Sequence, residues 1–203
     1  FAYDKHEVLN NLNLSFHEGI VTTMIGPNGC GKSVFFKTLC GYSLLTEGQV
    51  IYRGKIIGKE QDFIDDAGIV IEEPEFINSL SGLENLKILA EIQKKISEPE
   101  IIEVLKQFDL YEDRNKKVGK YSVGMKQKLR LAQAVMEKPQ VLILDEPMNG
   151  LDKKSVKRVE DILKAFVENG GTLLMTSHIE QQVEACCKIV YEIDGGEILR
   201  VTD

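Results

Sequence analysis

Gly26-Pro27-Asn28-Gly29-Cys30-Gly31-Lys32-Ser33 fits the pattern GxxxxGK[ST]. Each residue type has a separate task in holding a phosphate chain. The glycines let backbone N–H groups turn inward around phosphate oxygens, and the start of the following helix adds a favourable dipole. Lys32 reaches the β- and γ-phosphates, and the Ser33 hydroxyl offers an oxygen to Mg²⁺. Cys30 fills a variable position of the loop, where a small inert side chain is the simpler reading and a dipole-favoured thiolate the alternative. The other feature able to do chemistry is Asp145-Glu146, directly after the apolar run Val141 to Leu144. A carboxylate at the end of a strand can hold Mg²⁺, directly or through water. The carboxylate beside it can polarise an attacking water.

Such groups work only if the fold aims them. Alternating apolar positions at Leu12, Leu14 and Phe16, then the run Ile20 to Ile25, predict two strands around a turn at Glu18-Gly19. The second strand feeds the glycine loop, and Val34, Phe35, Phe36, Leu39 and Cys40 predict the helix behind it, ended by Gly41. Val50 to Tyr52 and Lys55 to Ile57 read as hairpin material, and Ile69 to Ile71 as a further strand. Ser81 with Glu84, and Ser97 with Glu100 around Pro99, are capping-box signatures that open two helices. Ser122 reads as the N-cap of another helix. After the strand at Val141 to Leu144, the pattern predicts a helix Lys153 to Asn169, a strand Thr172 to Thr176, a helix Ile179 to Cys186 and a hairpin turning at Gly195-Gly196.

The fold class is therefore α/β with a helical insertion. It is read as a single domain, 1–203, in which 1–72 and 138–203 form an α/β core with an antiparallel β subdomain and 73–137 form the helical subdomain.

From Tyr121 the chain reads Tyr-Ser-Val-Gly-Met-Lys-Gln-Lys-Leu, and later come Asn149-Gly150-Leu151-Asp152 and Ser177-His178. With the phosphate loop and Asp145-Glu146, these resemble the signature, Walker B, D-loop and H-loop of ABC ATPases, in that family's order. The resemblance covers nearly the whole chain. It implies a P-loop NTPase fold with a RecA-like core, ATP and Mg²⁺ as cofactors, and ATP hydrolysis. It also implies that two cassettes pair head to tail, a homodimer in which Ser122 and Gly124 of one meet the γ-phosphate held by Lys32 of the other, with Asp152 near the seam. Glu146 is then the catalytic base, His178 the switch histidine that hydrogen-bonds the γ-phosphate or attacking water, and Tyr3 the aromatic that stacks on adenine. The nucleotide-binding set is Tyr3, Gly26, Asn28, Gly29, Cys30, Gly31, Lys32, Ser33, Val34, Ser122, Gly124 and Asp152. The metal set is Ser33, Glu72 and Asp145.

The sequence departs from the family pattern at several of these positions. Val34 replaces a second hydroxyl, Val123 the first signature glycine, Met125 its glutamine and Met148 a threonine. Where relatives carry Gln after the strand that precedes the helical insert, this chain has Glu72 or Glu73, with Glu72 in better register. A carboxylate there can bind Mg²⁺ more strongly than an amide but adds negative charge near the phosphates. This loop and the YSVGM signature resemble bacterial exporters of the bacitracin-resistance and lantibiotic-immunity type.

Composition narrows the partners. The 203 residues are 43% hydrophobic and 28% charged, an ordinary globular balance, and the formal charge of −7 argues against general nucleic-acid binding. The longest apolar runs fall well short of the ~20 residues that cross a bilayer. The expectation is a cytoplasmic chain, peripheral on the inner face of the cell membrane through an integral membrane transporter subunit. Cys30, Cys40, Cys186 and Cys187 have neither metal-ligand spacing nor the density of a disulfide framework, so reduced thiols are expected. The other reading, an ABC ATPase acting in repair, chromosome organisation or translation, needs a long insertion between Ser33 and Ser122 or a tandem cassette, and the sequence has neither. A GTPase is disfavoured because Asn115-Lys116-Lys117-Val118 lacks the acid of a guanine-reading motif.

Overall fold

The computed structural model describes residues 2–3, 6–7, 12–72, 75–177, 188–194 and 196–201, with residues 2–3 and 6–7 described by backbone alone. Its centre is a six-stranded sheet in the order β10-β9-β3-β8-β7-β6. The strands are β3 (Val21–Ile25), β6 (Ala67–Val70), β7 (Val141–Leu144), β8 (Thr172–Thr176), β9 (Ile189–Asp194) and β10 (Glu197–Arg200). All neighbours are parallel except the β9–β10 hairpin. Two antiparallel pairs, β1 (Ala2–Tyr3) with β2 (His6–Glu7) and β4 (Ile51–Tyr52) with β5 (Lys55–Ile56), stand outside it. The helices are α1 (Lys32–Cys40), α2 (Gly82–Gln93), α3 (Glu98–Gln107), α4 (Val123–Met136) and α5 (Lys153–Glu168), with a 3₁₀ turn at Val118–Lys120.

Parallel strands covered on both faces read as continuous apolar runs, and their alternate residues divide between two cores. Leu142, Leu144, Leu173 and Met175 face a cluster with Leu129 and Leu131 of α4 and with Val159 and Leu163 of α5. Ile143 and Leu174 face the opposite cluster with Phe35, Phe36 and Cys40 of α1. Burial pushes the Cys40 thiol up to about 12, so it is an inert core residue. Leu86 of α2 and Ile101 and Leu105 of α3 belong to the first cluster, so the helical segment shares its apolar core with one face of the sheet.

Both capping signatures are realised. At α2, Ser81 Oγ accepts from the Glu84 N–H at 3.2 Å while the Glu84 carboxylate accepts from the Ser81 N–H at 2.7 Å. At α3, the Glu100 carboxylate accepts from both the N–H and the hydroxyl of Ser97.

Two expectations are corrected. The segment around Leu12, Leu14 and Phe16 is not a strand: these side chains pack against the α1 cluster without a sheet ladder. Their alternation reports burial, which an extended segment obtains without strand pairing. The strand expected at Ile69 to Ile71 spans Ala67–Val70. Gly68 sits in it because a Cβ there would lie 2.0 Å from the Ala134 carbonyl oxygen, so the missing side chain lets α4 press directly onto β6. The expected helix Ile179 to Cys186 lies outside the described residues.

Candidate active site

Open parallel sheets bind ligands beyond the carboxyl ends of their strands, and here that edge gathers the charged and hydroxyl side chains. β3 ends at Ile25 and runs into the phosphate loop. β7 ends at Leu144, before Asp145 and Glu146. β8 ends at Thr176, and β6 leads into Glu72.

The loop closes because its first glycine occupies a conformation closed to other residues. Gly26 has φ 149°, and a Cβ on it would meet the Ile193 carbonyl oxygen at 2.3 Å and Cys30 Sγ at 2.9 Å. Gly31, at φ 109°, is the N-cap of α1. Lys32 is buried and curls back over the loop, its Nζ donating to the carbonyls of Gly26 at 2.7 Å and Pro27 at 3.0 Å. Its ammonium thus sits at the loop mouth, held by carbonyl oxygens that an anion's oxygens can replace. Asn28 and Gly29 form the exposed turn of the loop, Cys30 is half-buried, and Val34 packs into the α1 cluster.

Ser33 Oγ donates to Asp145 Oδ2 at 2.5 Å, joining the first turn of α1 to the end of β7 across 112 residues of sequence. A hydroxyl and a carboxylate converging beside a phosphate loop are hard oxygen donors, and the pair fits Mg²⁺. The third expected metal ligand stands elsewhere: the Glu72 carboxylate is bonded to Lys37 Nζ on α1. Both Glu72 and Glu146 have left-handed backbone, at φ 59° and 47°, a conformation non-glycine residues seldom adopt. Glu146 is fixed by its N–H, which donates to Thr176 Oγ1 at 2.8 Å, and its carboxylate accepts from the Asn149 side-chain amide.

Ser122 is the N-cap of α4, its hydroxyl accepting from the Met125 N–H at 3.2 Å. Gly124 lies against the turn after Glu146, where a Cβ would be 2.9 Å from the Gly150 carbonyl oxygen. The same helix is tied to that turn by the buried Gln127, whose Nε2 donates to the Pro147 carbonyl at 3.0 Å while its Oε1 accepts from Arg130. No hydrogen bond among the described residues links Ser122 or Gly124 to the phosphate loop of the same chain. Asp152 is the N-cap of α5, accepting from the N–H and hydroxyl of Ser155, and the amide bond first and the hydroxyl bond second hold its carboxyl below the usual range. His178 and the side chain of Tyr3 lie outside the described residues.

The structure thus brings together Lys32, Ser33, Asp145 and Glu146, keeps Ser122 and Gly124 on the far side of the Glu146 turn, and turns Glu72 towards α1. Sequence reasoning missed Thr176, Lys37, Asn149 and Gln127. Asn149 and Gln127 lay inside the quoted D-loop and signature segments without a role of their own, and Thr176 left a signal as a hydroxyl closing a strand whose parallel neighbours lead into site residues.

The family profile described as ABC transporter matches residues 9–149. The chain belongs to the ABC transporter family. It is an ATP-binding cassette with the ATPase activity of that family. The ABC transporter ATP-binding protein YybJ of Bacillus subtilis is 36% identical over 96% of this chain and 89% of its own length. The lantibiotic transport ATP-binding protein SrtF of Streptococcus pyogenes is 34% identical over 98% of the chain and 85% of that relative. The bacitracin transport ATP-binding protein BcrA of Enterococcus faecalis is 32% identical over 97% of the chain, which spans 65% of that relative. Among solved structures, an ATP-binding subunit of an ABC transporter superposes with a TM-score of 0.86 at 24% identity, covering 98% of this cassette and 86% of that chain. The dimeric post-hydrolysis ATP-binding cassette MJ0796, bound to ADP and Pi, superposes with a TM-score of 0.84 at 23% identity, over 97% and 91%.

Proposed function

We propose that this cassette binds Mg²⁺-ATP at the loop Gly26 to Ser33 and pairs with a second copy around two nucleotides to drive a separate membrane subunit that exports a peptide or antibiotic. The contact between Ser33 and Asp145 carries the reading, because it sets a metal-binding oxygen pair where the phosphate loop ends. Lys32 exchanges its two loop carbonyls for phosphate oxygens. Ser33 and Asp145 hold Mg²⁺, with Glu72 as a further ligand, and the ion neutralises phosphate charge when bound. Glu146 leaves the Asn149 amide to take a proton from the attacking water, and His178 supports the γ-phosphate.

Ser122 and Gly124 serve the nucleotide of the partner cassette, which agrees with their lack of hydrogen bonds to their own phosphate loop. Tyr3 stacks on adenine and Asp152 stands near the seam. The helical segment 73–137 acts as a subdomain on the core 1–72 and 138–203.

The membrane subunit docks at the cleft between core and helical segment, near Glu72 to Leu83, where Ile77 exposes an apolar side chain. Along the same boundary a groove of about 230 Å³ is lined by Tyr42, Asp66, Leu89, Ile92, Lys95 and Glu137, with the exposed Phe63 ring beside Tyr42. No helix among the described residues is long and apolar enough to cross a membrane. The lantibiotic and bacitracin transport roles of the named relatives support the cargo class.

The test is Mg²⁺-ATP turnover with oligomeric state for the wild type and Glu146→Gln. Wild-type turnover together with an ATP-dependent Glu146→Gln dimer is expected. A Glu146→Gln protein that stays monomeric at saturating ATP, or turns over at the wild-type rate, overturns the assignment.

A further inference from the structure

Thr176 ends β8, is fully buried, and touches both acids of the site at once. Its hydroxyl accepts from the Glu146 N–H at 2.8 Å and donates to Asp145 Oδ1 at 2.5 Å. The direction of these bonds is forced. The backbone N–H can only donate, so it occupies a lone pair of Oγ1, and the one hydroxyl proton is left for the carboxylate. Asp145 is thereby held at both ends, Oδ1 by Thr176 and Oδ2 by Ser33. The Asp145 N–H donates to the Val70 carbonyl at 2.7 Å, so the backbone beneath the carboxylate is fixed as well.

The geometry points to Thr176 as a positioning residue that also sets metal choice: it pins Oδ1 so that Asp145 offers a single oxygen, Oδ2, beside Ser33, and it holds Glu146 in its left-handed conformation through the same hydroxyl. The inference rests on the reading of Ser33 and Asp145 as metal-holding residues. Mg²⁺ takes near-octahedral geometry and one oxygen from a carboxylate, whereas Ca²⁺ accepts both oxygens at longer distances. A hydroxyl that engages Oδ1 therefore favours the smaller ion. A residue that orients a metal-binding carboxylate typically changes metal affinity or activity by about 10–100-fold when lost.

The experiment measures Mn²⁺ binding to the whole chain by electron paramagnetic resonance, with a non-hydrolysable ATP analogue and with Mg²⁺ or Ca²⁺ as competitor. Thr176→Val keeps the shape and removes the hydroxyl. It is expected to weaken Mn²⁺ binding by about 10–100-fold and to shift competition towards Ca²⁺, with Thr176→Ser restoring both. Thr176→Val that binds Mn²⁺ within about twofold of wild type with unchanged Mg²⁺ preference overturns the assignment. If Thr176→Val fails to fold, judged by near-ultraviolet circular dichroism, Thr176→Ala against Thr176→Ser makes the same comparison. Asp145→Asn separates the two claims. Unchanged Mn²⁺ binding in that variant refutes the metal reading itself, whereas its loss there beside an unaffected Thr176→Val refutes only the role of Thr176.

Discussion

The ammonium of Lys37 holds the carboxylate of Glu72, and Lys37 stands one helical turn beyond Ser33 on α1. A turn rises about 5.4 Å, so Glu72 is bonded one turn along α1 from the contact between Ser33 and Asp145. The ammonium also offsets the charge of the Glu72 carboxylate. Both side chains are partly exposed, so the pair contributes less than about 1 kcal/mol and can exchange partners readily.

Lys37→Ala should therefore lower the Mg²⁺ concentration needed for half-maximal binding of a fluorescent ATP analogue, because Glu72 loses its competing partner. Glu72→Gln should raise it, and adding Lys37→Ala to Glu72→Gln should change nothing more. Additive effects in the double variant would show that Lys37 acts independently of Glu72.

Gly68→Ala should be strongly destabilising. The new methyl would stand 2.0 Å from the Ala134 carbonyl oxygen, and neither β6 nor α4 can retreat without breaking its own ladder. A cost of about 3 kcal/mol is expected, lowering the melting temperature by about 6–12 °C in a chain of this size. Calorimetry checks it.

Gln127→Ala removes the buried bond to the Pro147 carbonyl and one acceptor of Arg130. Loss of a buried partner of this kind costs about 1–3 kcal/mol. Because the bond joins the signature helix to the turn after Glu146, hydrogen exchange at residues 147–151 should rise with the loss of stability. Protection unchanged there would mean that the turn is held independently of α4.

Acid should loosen the helix starts. The Ser97 N–H, then Lys138 and the Ser97 hydroxyl, hold the Glu100 carboxyl down to about 2, and the Ser81 amide and hydroxyl lower Glu84 in the same direction. A carboxyl depressed in the folded state stabilises fully above its ordinary value near 4.5, and that stabilisation is lost as pH falls from there towards 2. Urea midpoints at pH 5 and pH 3 should therefore differ less for Glu100→Gln than for the wild type. An equal difference would remove Glu100 from the account.

The sequence by itself determined what depends on neighbours along the chain. The phosphate loop, the capping boxes at Ser81 and Ser97, the cap at Ser122, and the apolar strands Val141–Leu144 and Thr172–Thr176 are local patterns, and local geometry enforces them, whereas the cap at Asp152 emerged only with the structure. The acids Asp145 and Glu146 were legible because they end such a strand. Tertiary structure alone decided which groups meet across the sheet edge. Thr176 reaches Asp145 because β8 pairs with β7, and Lys37 captures Glu72 because α1 covers the face from which β6 emerges. Hydrogen bonds between residues 30 or more positions apart carry no periodicity of their own. Their partners are set by strand order and register, which follow from burying two apolar faces at once.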